Sequence, residues 1–227
     1  MASPNYDALH VRLSRMIGDP VAAAATNGNS FTSALRDHFL NDGVRRLMNH
    51  YVKMRGYDSF SAIMVEPAFF AGGYLADEAQ TLASNVKTLS SWTGGVFSIV
   101  TARNATASPN VVINPLPHRY KDLARTGVNR YLNPATGNQW YIIEGATLRV
   151  LGSGATDSVN LQYIKPHTDL TNGNATDILV PAAYWNEVLD EAYKIFAEEY
   201  PEEESLARLQ LKEGALNREI NIKAANG

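Results

Sequence analysis

Apolar residues recur at helical spacing near both ends of the chain and at strand spacing in its middle. Within residues 5–17, Leu9, Leu13, Met16 and Ile17 stand three or four apart, with His10, Arg12 and Arg15 between them. That spacing predicts a short amphipathic helix. Gly18-Asp19-Pro20 should stop it, since glycine ends a helix cheaply and proline cannot donate to one. The small, polar stretch Val21 to Asn29 reads as a mobile loop. From Ser30 to Tyr51 two adjacent stripes, Leu35, Phe39, Leu47, Tyr51 and Leu40, Val44, Met48, predict a long helix. Arg36, Asp37, Asp42, Arg45 and Arg46 fall outside its apolar face, and Gly56 is its expected end.

The middle changes period. Ser59 to Glu66 is expected to be a strand closed by Pro67, and Leu75 to Leu89 a possible helix with a thin apolar face. Val96 to Thr101 and Asn110 to Ile113 are short β-branched runs bounded by Gly, Pro and Asn. Gln139 to Ile143 and Thr147 to Leu151 flank Glu144-Gly145-Ala146 and predict a hairpin. Val159, Leu161 and Tyr163 alternate with Asn160 and Gln162 in a further strand. Three consecutive strands with tight connections predict an antiparallel meander. Beyond them, Leu179-Val180-Pro181 opens a helix carrying Tyr184, Trp185, Val188, Leu189, Ala192, Ile195 and Phe196, with proline where its missing N–H costs nothing. Tyr200-Pro201 breaks it. A last helix follows from Glu202-Glu203-Glu204 through Leu206, Leu209, Leu216 and Ile220, its acids favoured at the N-terminal end by the macrodipole.

These elements predict an α+β fold: N- and C-terminal helices packed as a bundle around a central antiparallel β-rich insertion. The helical core would comprise residues 1–57 and 178–227, and the insertion residues 58–177 with its possible helix at 75–89. Length and composition change little in this picture. The chain has 227 residues, 45% hydrophobic and 19% charged, enough apolar surface for a core without staples. It has no cysteine, which excludes disulfides, thiolate metal sites and a cysteine nucleophile. A net charge of -3 offers no overall basic field for nucleic acid. No run approaches the length of a membrane span, and the polar first residues are not those of a signal peptide. A soluble chain made in a reducing cytoplasm is the expectation, and the sequons at Asn104 and Asn174 are then chance matches.

Chemistry is sparse in the pattern. No phosphate-cradling loop, dinucleotide fingerprint or nucleophile elbow occurs, and His10, His38, His50, His118 and His167 lack metal-ligand spacing. Catalytic, metal and cofactor residues are accordingly expected to be none. Acids crowd Glu198, Glu199, Glu202, Glu203 and Glu204, while bases concentrate in Arg36 to Arg55 and Arg119 to Arg130. Unlike patches on one chain suit head-to-tail contact between identical subunits.

Two segments carry a family resemblance. Phe31-Thr32-Ser33-Ala34-Leu35-Arg36-Asp37-His38-Phe39-Leu40-Asn41-Asp42-Gly43-Val44-Arg45-Arg46-Leu47 is similar to a helix of tailed-bacteriophage head-to-tail adaptor proteins, also called connector or ring proteins. The strand Val159 to Pro166, then Asp169-Leu170-Thr171, Asp177 to Pro181 and the helix from Tyr184 to Ala197, resemble the same family's C-terminal half. The likeness covers the two ends of the chain; the middle matches only in being strand-rich.

The resemblance implies a virion structural protein made in the host cytoplasm and placed at the portal vertex. Identical subunits, usually twelve, would form a ring beneath the portal protein, joining capsid to a tail or nozzle protein while genomic DNA passes through the lumen unread. It implies neither membrane nor cofactor. Leu206, Leu209, Leu216 and Ile220 become candidate portal contacts. Arg36, Asn41, Arg45, Arg46, Glu198, Glu199, Glu202 and Glu203 become candidate contacts between subunits. The alternatives are another tail-completion or nozzle protein, a ligand-binding module using Trp92, Trp140 or Tyr141 as a platform, and a hydrolase using His167 and Asp169.

Overall fold

The computed structural model describes residues 6–53, 67–107, 111–116, 139–171 and 179–203. The chain divides into two compact units: Met1–His50 with His167–Gly227, and Tyr51–Pro166.

The first unit is helical. α1 (Tyr6–Met16) ends as its sequence directs: Gly18 takes φ +75°, and the Asp19 N–H reaches back to the Ser14 carbonyl at 2.9 Å. α2 (Ser33–Lys53) is capped by Thr32, whose hydroxyl accepts the Leu35 N–H at 3.2 Å; its last residues, from Tyr51, belong to the second unit. The short helix α3 (Pro67–Phe70) also lies there. α4 (Trp185–Glu199) follows a single 3₁₀ turn (Ala182–Tyr184) and stops at Tyr200, before Pro201. The buried faces of the first unit are apolar: Leu9 and Leu13 of α1, Phe39, Leu40 and Val44 of α2, Val188, Leu189, Ala192 and Phe196 of α4. Phe31, Phe39, Phe196 and Tyr200 form an aromatic cluster with centroids 5.4 to 6.1 Å apart, mostly edge to face.

The second unit overturns the expected fold class. It is a seven-stranded mixed sheet, nearly closed into a barrel, and among the described residues this sheet with a few helices stands where a helical bundle bearing an insertion was expected. The strands are β1 (Leu75–Thr81), β2 (Val86–Thr88), β3 (Ser98–Asn104), β4 (Val111–Pro115), β5 (Gln139–Glu144), β6 (Thr147–Leu151) and β7 (Ser158–Ile164), in the spatial order β1-β7-β3-β4-β5-β6-β2. All neighbours are antiparallel except β4 and β5. The edge strands β1 and β2 are consecutive and joined by four residues, 82–85, so the two ends of the sheet must meet. Buried side chains alternate along the strands and fill the interior, with Trp92, Leu148, Val150, Val159, Leu161 and Tyr163 among them.

Two local expectations fail with the fold class. Residues 75–89 form β1 and β2 instead of a helix. Leu-Ala-Asp-Glu-Ala-Gln-Thr holds good helix formers, but seven residues of it pair in register with β7, and tertiary pairing overrides a weak propensity. The hairpin β5–β6 forms as expected, yet the meander does not, because β7 lies between β1 and β3. Its connection 152–157 crosses the sheet's seam beside turn 82–85, where the Leu82 N–H donates to the Asp157 carbonyl and the Asn85 N–H to the Ala155 carbonyl, at 2.9 and 3.2 Å. The strand expected at Ser59 to Glu66, and the last helix beyond Glu203, lie outside the described residues.

The closing turn is strained. Ser84 and Asn85 take φ +52° and +64° between bridge partners Ala83 and Val86, the two-residue turn that suits the twist of a hairpin but favours Asn-Gly. The Asn85 Oδ1 is buried without a hydrogen-bond partner. Asn85→Gly should therefore raise stability by about 0.5–1 kcal/mol, and Ser84→Val lower it by about 1–2 kcal/mol. Denaturant unfolding followed by tryptophan fluorescence checks both; the opposite order would mean this turn does not limit closure.

Candidate functional site

α2 carries the chemistry of the helical unit on the side the sequence pattern marked as solvent. Arg36 is completely buried, and its guanidinium donates to the carbonyls of Phe31, Ala24 and Thr26. Burial lowers its pKa, opposed by the charges of Asp19 and Asp37. Asp19, also buried, accepts the N–H groups of Asn29, Ser30 and Phe31 at 2.7, 3.2 and 2.9 Å. The stretch Val21 to Asn29, expected to be a mobile loop, is therefore folded between one cation and one anion. Gly28 is required there, because a Cβ would lie 1.8 Å from the Asp19 carboxylate.

One turn further, a polar network crosses from α1 through α2 to residues 167–170. His10, fully buried, donates from Nε2 to Asp37 Oδ1 at 2.6 Å, and the Tyr6 hydroxyl donates to the same oxygen at 2.9 Å. The Tyr6 hydroxyl also lies 3.3 Å from the Leu170 carbonyl. Asn41 holds Leu170 at both ends of its amide: Nδ2 donates to the carbonyl at 2.8 Å, and Oδ1 accepts the N–H at 3.0 Å. The same Oδ1 accepts from His167 Nε2 at 2.9 Å. Arg45 pairs with Asp169 and with Asp42. Burial, then the Asp37 carboxylate, pushes the Tyr6 phenol upward, so it stays a donor. Burial lowers the His10 pKa against the pull of Asp37, and burial then the Arg45 charge lowers that of His167 to about 4.

The α2–α4 contact turns on Gly43. A Cβ there would lie 2.9 Å from the Val188 carbonyl oxygen and 3.0 Å from the Ala192 nitrogen, both backbone atoms that cannot swing aside. At the rim Arg46 forms a two-pronged pair with Glu198, at 2.9 and 2.5 Å, and His38 meets Glu199 at 3.2 Å. The Arg46 guanidinium holds the Glu198 carboxyl below the usual carboxylate range.

Of the residues expected at subunit contacts, Arg36 and Asn41 are buried and committed within the unit, so neither has side-chain surface to offer a neighbour. Arg46 and Glu198, read as opposite patches awaiting different subunits, are brought together in one chain. Arg45 and Glu199 are partly exposed but paired. Glu202 and Glu203 are exposed in the helical residues 201–203 and pair with no other described residue. Leu206, Leu209, Leu216 and Ile220 lie outside the described residues. For the alternatives, Trp92 is core, Tyr141 packs against the core, and Trp140 is half-buried, so they form no exposed platform. His167 and Asp169 are engaged by Asn41 and Arg45. Asn104 of the first sequon is fully buried and donates to Asp157 at 2.6 Å, which leaves its amide no room for a glycan; Asn174 lies outside the described residues. Among the described residues no group of three or more His, Asp and Glu could hold a metal ion, and no helix is long and apolar enough to cross a membrane.

The pattern reading missed Tyr6, His10, Asp37 and Asp19. One signal was present: Tyr6, His10 and Ser14 recur four apart on the face that also carries Leu9 and Leu13. No known protein-family model matches the chain, and no curated protein matches it.

Two outcomes are expected. Gly43→Ala gains about 1 kcal/mol in helix propensity, but the methyl meets backbone, and overpacking of this kind costs about 1–3 kcal/mol. Thermal melting should show Gly43→Ala less stable than the parent and Gly43→Val less stable still; a rise with alanine would refute the close helix approach. The second outcome concerns pH. Folded pKa values below the unfolded 6.5 mean that the unfolded chain binds more protons, so the stability from His167 is present above pH 6.5 and lost as pH falls towards 4. The loss should reach roughly 3 kcal/mol for His167, and His10 adds to it in the same direction. In urea titrations between pH 7.5 and 5, His167→Gln should flatten the pH dependence; an unchanged slope would show that His167 does not contribute.

Proposed function

We propose that the chain is a structural subunit of a tailed-bacteriophage virion, assembling with copies of itself into a ring that joins the portal to the tail, with DNA passing through the lumen. One observation carries this reading. The segment Phe31 to Leu47 and, from the second segment, Asp169-Leu170 and the helix from Tyr184 to Ala197 stand far apart in the chain and fold as one unit through residues of the matching motif itself, while the strand Val159 to Pro166 belongs to the other unit. Asn41 clasps Leu170, and Gly43 admits the α4 backbone. The helical parts of a likeness in two distant stretches of sequence thus fall in one body, which a chance match in either stretch would not require.

The charge distribution supports assembly in a narrower form than the pattern suggested. Pairing within the chain engages Arg45, Arg46, Glu198 and Glu199, and leaves Glu202 and Glu203 as exposed acids, with Arg15 of α1 an exposed base. Glu202 and Glu203 against a neighbour's basic surface is the contact we favour in the ring, with Leu206, Leu209, Leu216 and Ile220 beyond them as portal contacts. Individual exposed pairs contribute little, but a closed ring repeats each contact and engages its members at high effective concentration.

Light scattering after gel filtration, on the chain alone and mixed with its virus's portal protein, tests the reading. A ring, or co-elution with the portal at matched stoichiometry, is expected, and Glu202→Lys with Glu203→Lys should prevent ring closure. A monomer indifferent to the portal would refute the proposal, and assembly with a tail protein alone would favour a tail-completion role.

A further inference from the structure

The sequence holds the Asn-Gly pairs Asn27-Gly28, Asn172-Gly173 and Asn226-Gly227, and the first lies among the described residues. Such pairs are chemically fragile, because glycine carries no Cβ to shield its backbone nitrogen from the preceding side-chain amide. Here the glycine cannot be exchanged, since a Cβ on Gly28 would lie 1.8 Å from the Asp19 carboxylate. Asn27 is exposed, yet the two groups that would react are each held. Its Oδ1 accepts the Ser33 N–H at 2.9 Å, one of the first-turn donors of α2 that no helical carbonyl reaches. The Gly28 N–H donates to the Phe31 carbonyl at 2.9 Å, and Arg36 holds that same carbonyl at 3.0 Å. The residues on either side are clamped as well, Thr26 by Arg36 through its carbonyl, and Asn29 by Asp19 through its N–H.

We propose that Asn27 is a deamidation site that the fold keeps latent, reacting when the loop between Asp19 and Phe31 leaves the Asp19 and Arg36 side chains. The step needs only water. The Gly28 backbone nitrogen gives up its proton to solvent and attacks Asn27 Cγ. The Cγ–Nδ2 bond then breaks, and the amide nitrogen takes a proton from solvent and leaves as ammonia. Water opens the resulting five-membered succinimide at either carbonyl. Breaking the new Cγ–N bond leaves aspartate; breaking the backbone C–N bond leaves isoaspartate, in which the chain runs through Cβ and Cγ. Attack requires the Gly28 nitrogen to turn towards Cγ, whereas the folded loop aims its N–H at a carbonyl three residues on. The two products act differently on the fold. Aspartate keeps an oxygen for the Ser33 N–H and adds negative charge at the start of α2, where the macrodipole favours it. Isoaspartate inserts one more backbone carbon between Thr26 and Asn29, which pulls against the Arg36 and Asp19 clamps. This site is independent of the ring proposed above.

The test is incubation of the full chain in mildly alkaline buffer, folded and in urea, with conversion followed by peptide mass spectrometry. In urea Asn27 should convert as readily as Asn172, and in the folded chain at least about tenfold more slowly than in urea. Proline suits the first position of a helix, so Ser33→Pro removes the N–H that Asn27 accepts while keeping the start of α2. It should speed conversion in the folded chain about two- to tenfold. Parent protein aged until Asn27 has converted should melt below Asn27→Asp aged alongside it, the mark of isoaspartate. The proposal is overturned if Asn27 stays intact in urea, if it converts as fast folded as unfolded, if Ser33→Pro leaves the folded rate unchanged or lowered, or if the aged parent melts no lower than Asn27→Asp.

Discussion

Most of the long-range hydrogen bonds in the helical unit pass through α2. Along one run of the helix, Arg36 gathers the carbonyls of the preceding loop, Asp37 receives Tyr6 and His10 from α1, and Asn41 clasps Leu170. Gly43 then admits the α4 backbone, and Arg46 reaches Glu198. Glycine inside a 21-residue helix weakens the helix taken alone. The side chain it lacks is what permits the approach, and that approach buries Val188, Leu189, Ala192 and Phe196. A buried polar network is destabilising when half satisfied. Here most donors and acceptors are matched, and the exceptions are Arg36 Nε and His10 Nδ1, the ring nitrogen turned from Asp37.

The barrel-like unit is built on a different constraint, the need to bring two sheet edges together. A four-residue connection with Ser84 and Asn85 in the left-handed region joins β1 to β2, the 152–157 connection crosses beside it, and Glu78 helps seal the seam by accepting the Thr93 N–H and the Tyr163 hydroxyl. That acceptance of the Thr93 N–H, and then of Gln80, holds the Glu78 carboxyl below its usual range. Burial, and then Glu78, pushes the Tyr163 phenol up to about 12, so the pair stays carboxylate and phenol across the physiological range. An edge that would otherwise recruit foreign strands is reduced to this seam.

What the chain disclosed in advance follows from how local each signal is. α1, α2 and α4 were legible because 3.6-residue periodicity, Pro181 at the start of α4, and Gly18 or Pro201 at the end act within a few residues. The β5–β6 hairpin and the alternation of β7 were legible for the same reason. β1 was not, because its residues favour helix and its strand state depends on pairing with β7 far along the chain. The sheet order was hidden for that reason too. Arg36, Asp37 and Asn41 were misplaced because charge and polarity mark a surface only when no internal carbonyl, amide or imidazole is waiting for them. On β7, Asn160 and Gln162 were legible as one face of a strand, but their rows with Asp77, Thr101 and Arg103 are a product of strand order alone.

The central claim is that α2 makes one body of the chain's two ends, and amide hydrogen exchange tests it at a single position. In the parent protein the Leu170 N–H, held by Asn41 Oδ1, should exchange as slowly as the core amides of α2, although it lies outside any helix or strand. In Asn41→Leu, Leu170 and the neighbouring 167–171 amides should lose that protection while β3 and β7 keep theirs. Fast exchange at Leu170 in the parent protein, or a loss shared equally by β3 and β7 in the variant, would contradict the account.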